Sequence, residues 1–181
     1  MWVAARAGGQ LNVLDFGGAL GSSYFQHSKF LQALPEVRWN VVEQAHYVET
    51  GQALILSDQL RFYKTIDECL GENHPNVVFL SSVLQYLPDP EKVIAELMSV
   101  KAEAVILDRT IINLSKAHRI YIQHVPASIY SASYPCRSLS EALLIKLMAN
   151  RYKLAADFPS LPFPALREID SEFKGYLFKK I

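Results

Sequence analysis

The sequence predicts an α/β fold, a doubly wound and mostly parallel sheet of seven strands. Three observations predict it. Short apolar runs alternate with longer amphipathic stretches up to Asp108, the order that gives parallel strands joined by right-handed helical crossovers. Two of the runs, Val-Val-Phe-Leu ending at Leu80 and Ala-Val-Ile-Leu ending at Leu107, are apolar at every position, as strands covered on both faces are. A glycine cluster at Gly17, Gly18 and Gly21 stands between the first run and the first amphipathic stretch, where glycine lets the backbone turn sharply.

The elements follow in order. Asn12–Phe16 is the first strand. Ser22–Leu34 is a helix, with Tyr24, Phe25, Phe30, Leu31 and Leu34 spaced for one face, and Pro35 stops it. Val37–Glu43 is the second strand and Gln44–Leu56 the second helix. Leu60–Tyr63 is a weaker third strand, followed by a short helix ending near Gly71. Asn76–Ser81 is a buried fourth strand. Pro90 suits the first turn of a helix with Asp89 as its cap, and that helix runs to about Val100 on Val93, Ile94, Leu97 and Met98. Glu103–Asp108 is the fifth strand. The alternation then breaks, and Arg109–Arg137 reads as polar, aromatic and irregular. A helix returns at about Ser140–Asn150. Tyr152–Phe158 and Phe173–Lys179 close the sheet, joined through the proline-rich stretch Pro159–Pro164; Phe158–Phe163 reads as packing.

The 181 residues suit a single domain, 1–181, with Arg109–Arg137 as a substrate-side insertion. Such a chain buries enough surface to need no disulfide or metal staple. Lys plus Arg number 18 and Asp plus Glu 18, so the formal charge is zero, which argues against a nucleic-acid partner. Cys69 and Cys136 make no disulfide framework and no zinc motif, and a reduced, cytoplasmic setting is the simplest reading. No stretch reaches the ~20 apolar residues of a membrane helix. The N-terminus lacks a signal-peptide core.

Three segments carry chemistry. The first is Asp15-Phe16-Gly17-Gly18-Ala19-Leu20-Gly21. The spacing is not Gly-x-Gly-x-x-Gly, and a carboxylate precedes the loop. That carboxylate suits a cationic ligand better than a pyrophosphate, which it would repel. The second is Glu43, at the carboxyl end of the second strand. In a doubly wound sheet that position reaches ribose hydroxyls, and a carboxylate accepts from both strongly. The third is Ser81-Ser82-Val83-Leu84-Gln85-Tyr86-Leu87-Pro88-Asp89-Pro90, leaving the fourth strand into the same crevice. Ser82 and Gln85 can also serve simply to satisfy backbone groups there.

Together these three segments resemble the class I S-adenosylmethionine-dependent methyltransferases. The third is similar to that superfamily's xxVLxHLxDP pattern, with Gln85-Tyr86 around the usual histidine position. The segment Arg119–Pro135 resembles a small bacterial family of methyltransferases whose activity is inferred and some of whose members are encoded near surface-polysaccharide genes. The resemblance implies a Rossmann-like sheet with an antiparallel last strand and S-adenosyl-L-methionine as cofactor. Carried over, Asp15, Gly17, Gly18, Ala19 and Gly21 form the cofactor loop, Ala19 replacing the usual middle glycine. Glu43 holds the ribose. A residue near Thr65–Asp67 lies by the adenine, and Ser81 and Ser82 lie near the methionine moiety. The acceptor is expected to be a small molecule, a sugar or surface-polysaccharide precursor hydroxyl. A homodimer is left open.

Arg109–Arg137 can fold over the crevice as an acceptor site or simply cover the sheet with aromatics. The acceptor reading assigns Tyr86, Arg109, Arg119 and Tyr130 to substrate binding. A hydroxyl of high pKa needs a general base, for which His124 is the first candidate and His118 the second. Methyltransferases of this class carry one or more helices before the first strand, and this chain offers about ten residues there. The alternative is therefore a non-catalytic or truncated module that keeps the fold, and with it the cofactor or a protein partner. A nicotinamide-dependent oxidoreductase is a third reading. The carboxylate before the loop and the missing Gly-x-Gly-x-x-Gly count against it.

Overall fold

A computed structural model describes residues 1–160 and 164–181. The expected packing role of the stretch ending at Phe163 falls partly on Leu161, Pro162 and Phe163, which lie outside the described residues. Parallel strands β1 (Gln10–Phe16), β2 (Glu36–Val42), β3 (Leu60–Tyr63), β4 (Val77–Ser81) and β5 (Ala104–Asn113) stand in the order β3-β2-β1-β4-β5. β9 (Ser171–Lys180) runs antiparallel against β5, and β8 (Tyr152–Pro159) lies outside β9. These seven are the expected strands, with β9 antiparallel. The first strand starts two residues early, and the fifth runs on through Asn113.

The strand total among the described residues is nine rather than seven. The two additional strands lie in the segment read as irregular: β6 (Arg119–Val125) and β7 (Ala132–Ser140) form an antiparallel hairpin. Its cause is local. Arg-Ile-Tyr-Ile-Gln-His-Val places β-branched and aromatic residues in a run of alternating burial, which is strand chemistry despite its polarity. β5 outlasts β4, and Ile112–Asn113 use the vacated side to pair with Leu139–Ser140 of β7. The hairpin is thereby anchored beyond the carboxyl edge of the sheet.

Helices α1 (Trp2–Arg6), α2 (Ser22–Leu31) and α3 (Ala45–Leu54) sit on one side; α4 (Ile66–Glu72), α5 (Pro90–Ser99) and α6 (Glu141–Met148) sit on the other, and α7 (Pro164–Arg167) precedes β9. Two apolar cores result. Leu14, Val78, Leu80 and Val105 point into one, and Val13, Val77, Phe79 and Ala104 into the other, as the period of two requires. α5 is capped as expected: the Asp89 carboxylate accepts from the Lys92 N–H (3.0 Å), and Pro90 occupies the first turn. α2 departs from expectation. It buries Ser23 and Leu31, while Phe25 and Phe30 are exposed. Beside Phe30, a groove of about 400 Å³ lies open over Val13, Phe79, Ile106 and Leu177. α1 covers only part of this face. No described helix is long and apolar enough to cross a membrane.

Candidate active-site crevice at the carboxyl edge of the sheet

β1, β2, β4 and β5 are parallel, so Asp15, Glu43, Ser81 and Asp108 all arrive at one edge of the sheet. The backbone there is unusual. Gly17 (φ +73°) and Gly21 (φ +81°) are left-handed, and so are Ala19 (φ +50°), Ser82 (φ +57°) and Arg109 (φ +47°). Three of the five non-glycine residues with positive φ among those described thus stand just past β1 and β4 and in the bulge of β5 beside them. Such conformations persist only where the surroundings enforce them, and they gather at functional sites. Ala19 occupies a conformation that glycine adopts freely, so the departure from the usual middle glycine adds strain to the loop.

Asp15 lies under the loop. It is 1% exposed, and its Oδ2 accepts from the Trp39 indole N–H (2.8 Å). Its Oδ1 has no partner among the described residues. Burial pushes the carboxyl up to about 6; the Trp39 hydrogen bond opposes this, and the nearby Glu43 charge adds to it. A Cβ on Gly18 would stand 2.5 Å from Oδ2, so the second glycine is the only residue that fits over this acid. Gly21 begins α2 and donates its N–H to the Gly18 carbonyl (2.9 Å). Glu43 is half-buried beyond β2. Its N–H donates to the Tyr63 carbonyl (3.1 Å), and its Oε2 accepts from the Gln44 N–H (2.6 Å). Thr65 caps α4 by accepting from the Glu68 N–H (3.1 Å).

The ends of β4 and β5 form a polar network. Ser81 Oγ donates to Asp108 Oδ2 (3.2 Å) and accepts from Arg109 Nε (3.1 Å) and Nη2 (2.9 Å). Ser160 donates to Asp108 Oδ1 (2.9 Å), tying in the end of β8. Arg109 pairs with Asp108 at 3.4 Å. Tyr86 stands at the rim, 40% exposed, and donates to Gln123 Oε1 (3.1 Å). Gln123 Nε2 donates to the Tyr134 hydroxyl (3.3 Å), which lies 3.4 Å from that of Tyr130. The Tyr86 and Tyr134 rings meet edge to face at 5.6 Å. The Tyr130 contact, with burial, pushes Tyr134 up to about 12, and burial also raises Tyr86. Both phenols are neutral near pH 7. They offer aromatic faces and hydroxyls rather than a base.

Three expected residues do not join this assembly. His118 accepts from the Ser140 N–H through Nδ1 (2.8 Å), so its proton sits on Nε2, which donates to Glu91 Oε1 (3.0 Å). Both nitrogens are engaged, and His118 ties β7 to α5. His124 alternates with Gln123 on β6. It is exposed on the opposite face with Ile120 and Ile122, turned away from the Tyr86 side. Arg119 faces Asp170 at 3.9 Å and lines a separate hollow with Asn113 and Arg167. Asp108, Ser160, Trp39 and Tyr134 join these contacts without having been assigned to the site. Only Asp108 left a signal, an acid ending the fifth apolar run.

No protein-family model matches the sequence, and no curated protein matches it. Solved structures do match in shape. One is a magnesium protoporphyrin IX methyltransferase from Synechocystis PCC 6803 with bound S-adenosylmethionine. At 16% identity it aligns over 99% of this chain and 75% of its own, with a TM-score of 0.63. A second is an S-adenosylmethionine-dependent methyltransferase from Methanosarcina mazei (12% identity, 94% of this chain, 92% of that one, TM-score 0.64). The fold is that of the S-adenosylmethionine-dependent methyltransferases. LepI in complex with S-adenosylmethionine shares it too (12% identity, 95% of this chain, TM-score 0.61), and the chain spans 43% of LepI's length.

Proposed function

We propose that the chain binds S-adenosylmethionine in the carboxyl-edge crevice and transfers its methyl group to a small-molecule acceptor. One observation carries the reading: the glycine turn, Glu43 and the Ser81–Arg109 network converge at adjacent strand ends of a methyltransferase-type sheet. Glu43 would accept from the ribose hydroxyls, and the loop over Asp15 would lie against the adenosyl sulfur. The cofactor supplies the activated methyl group. The chain's residues hold the acceptor in line, with reacting atoms about 3–3.5 Å apart. The Tyr86–Tyr134 corner, with Tyr130 and Arg109 beside it, is the docking surface for that acceptor, and the β6–β7 hairpin is the acceptor-side insertion. The sugar-type hydroxyl implied by the resemblance would require a base, while His124 is exposed on the far face of β6 and His118 is bonded to Ser140 and Glu91.

Glu43→Ala should weaken S-adenosylmethionine binding by about 1.5–3 kcal/mol, the range for hydrogen bonds to a charged group. Titration calorimetry reads this directly, and unchanged affinity would reject the ribose role. A second reading, a non-catalytic module that keeps the cofactor and recruits a protein, is favoured by the apolar groove over Val13, Phe79 and Ile106. Transfer of label from methyl-labelled cofactor to any small molecule of a cell extract would defeat it.

A further inference from the structure

We propose that Gln85 is a positioning residue, a buried latch that holds the ends of β4 and β5 in the shape that receives the amino-acid part of the cofactor. The inference rests on the cofactor reading above and adds a determinant to it.

Gln85 is 1% exposed in the 3₁₀ turn Leu84–Tyr86. Its Nε2 donates to Ser82 Oγ (3.2 Å) and to the Arg109 carbonyl (3.1 Å). Both are left-handed, non-glycine residues: Ser82 follows the end of β4, and Arg109 sits in the bulge of β5 between Leu107 and Thr110. The Ser82 N–H also donates to the Asp108 carbonyl (3.0 Å). An amide that spans both strained turns keeps each from relaxing toward extended backbone. If they relaxed, Ser81 would lose the register that lets it bind Asp108 and Arg109 together.

Among the described residues Gln85 Oε1 is buried without a partner, an arrangement that costs free energy at that atom. Native chains keep unpaired buried groups chiefly where geometry at a site demands them.

The sheet order defines what the latch serves. Adjacent strands lie about 4.8 Å apart, so the β2 and β4 ends are separated by roughly 10 Å across β1. A nucleoside whose ribose is held at Glu43 and which crosses the β1 loop therefore brings its far end to Ser81, Ser82 and Arg109. That end is the amino-acid portion, whose carboxylate and ammonium match a network of hydroxyls, guanidinium and carboxylate.

The experiment uses two probes on the full chain, S-adenosylhomocysteine and 5′-methylthioadenosine, the second lacking the amino-acid portion. Gln85→Met keeps length and volume, removes both Nε2 bonds and removes the unpaired oxygen. Its melting temperature is read alongside, because the Ser82 Oγ and the Arg109 carbonyl lose their donor. Its affinity for S-adenosylhomocysteine should fall at least ten-fold, and that for 5′-methylthioadenosine should stay within two-fold. Gln85→His, which keeps a ring N–H donor, should recover most of the loss. Unchanged S-adenosylhomocysteine affinity in Gln85→Met, or equal weakening of both probes, overturns the latch. If the wild-type chain binds neither probe, the cofactor reading itself fails.

Discussion

Asp15→Asn should make the folded chain more stable at pH 8, by about 2–3 kcal/mol. The acid lies 1% exposed beneath Gly18, and burial pushes it from 3.8 to about 6. The folded chain therefore holds its proton more tightly than the unfolded chain does. The stability gained from that proton is fully present below about pH 4 and is lost as the pH rises through 6. Two pKa units at 1.36 kcal/mol each give the size of the loss. Asparagine stands in for the protonated acid: it still accepts from Trp39, and it leaves the same position without a partner as Oδ1 does now. For a chain of this size the gain corresponds to roughly 4–12 °C in Tm. Thermal unfolding from pH 4 to 8 measures it. The wild-type protein should lose stability across that range relative to the variant, and the two should converge near pH 4. Parallel curves would mean that the buried carboxylate has a compensating partner. A charge kept at this expense beneath the loop fits a site that receives a cation, and sites commonly sacrifice stability for function.

Gly17→Ala should destabilise the chain by about 2–5 kcal/mol. Two effects add. An L-residue at φ +73° carries the left-handed penalty of about 1–2 kcal/mol. The new methyl would also overlap Val83, lying 2.9 Å from its Cβ and closer still to Cγ2, and overpacking of this kind typically costs about 1–3 kcal/mol. Val83 leads into the turn that carries Gln85, so the clash at β1 is transmitted to the end of β4. Urea unfolding reads the stability, and the same variant should lose most of its affinity for S-adenosylhomocysteine. Destabilisation under 1 kcal/mol would show that the loop yields more readily than its contacts indicate.

The seven main strands were legible because their signals are local. Val-Val-Phe-Leu and Ala-Val-Ile-Leu are apolar throughout because Val78 and Leu80 pack one core and Val77 and Phe79 the other. Asp89-Pro90 and Gly17-Gly18 announce a cap and a turn through their own backbone chemistry. The hairpin was not legible as structure. Its alternation is carried by Ile120, Ile122 and Tyr121 among polar residues, and its pairing partner in β5 exists only because β5 outruns β4. The histidines mislead for a related reason. Residue type names His118 and His124 as bases, but strand parity turns one outward, and a backbone N–H twenty-two residues away occupies the other. Asp15 was legible as an acid beside the loop. That it lies beneath the loop, bonded to Trp39, follows from β1–β2 register that no local pattern contains.

Calorimetric titration of the purified chain with S-adenosylhomocysteine, paired with thermal shift against NAD, tests the cofactor assignment most directly. A ligand that binds only the folded state at one hundred times its Kd adds about 2.7 kcal/mol of stability. The expected result is saturable binding at one site per chain with a matching rise in Tm, weakened by Glu43→Ala and absent with NAD. No heat and no shift with S-adenosylhomocysteine, or a shift with NAD in its place, would contradict the assignment of the crevice.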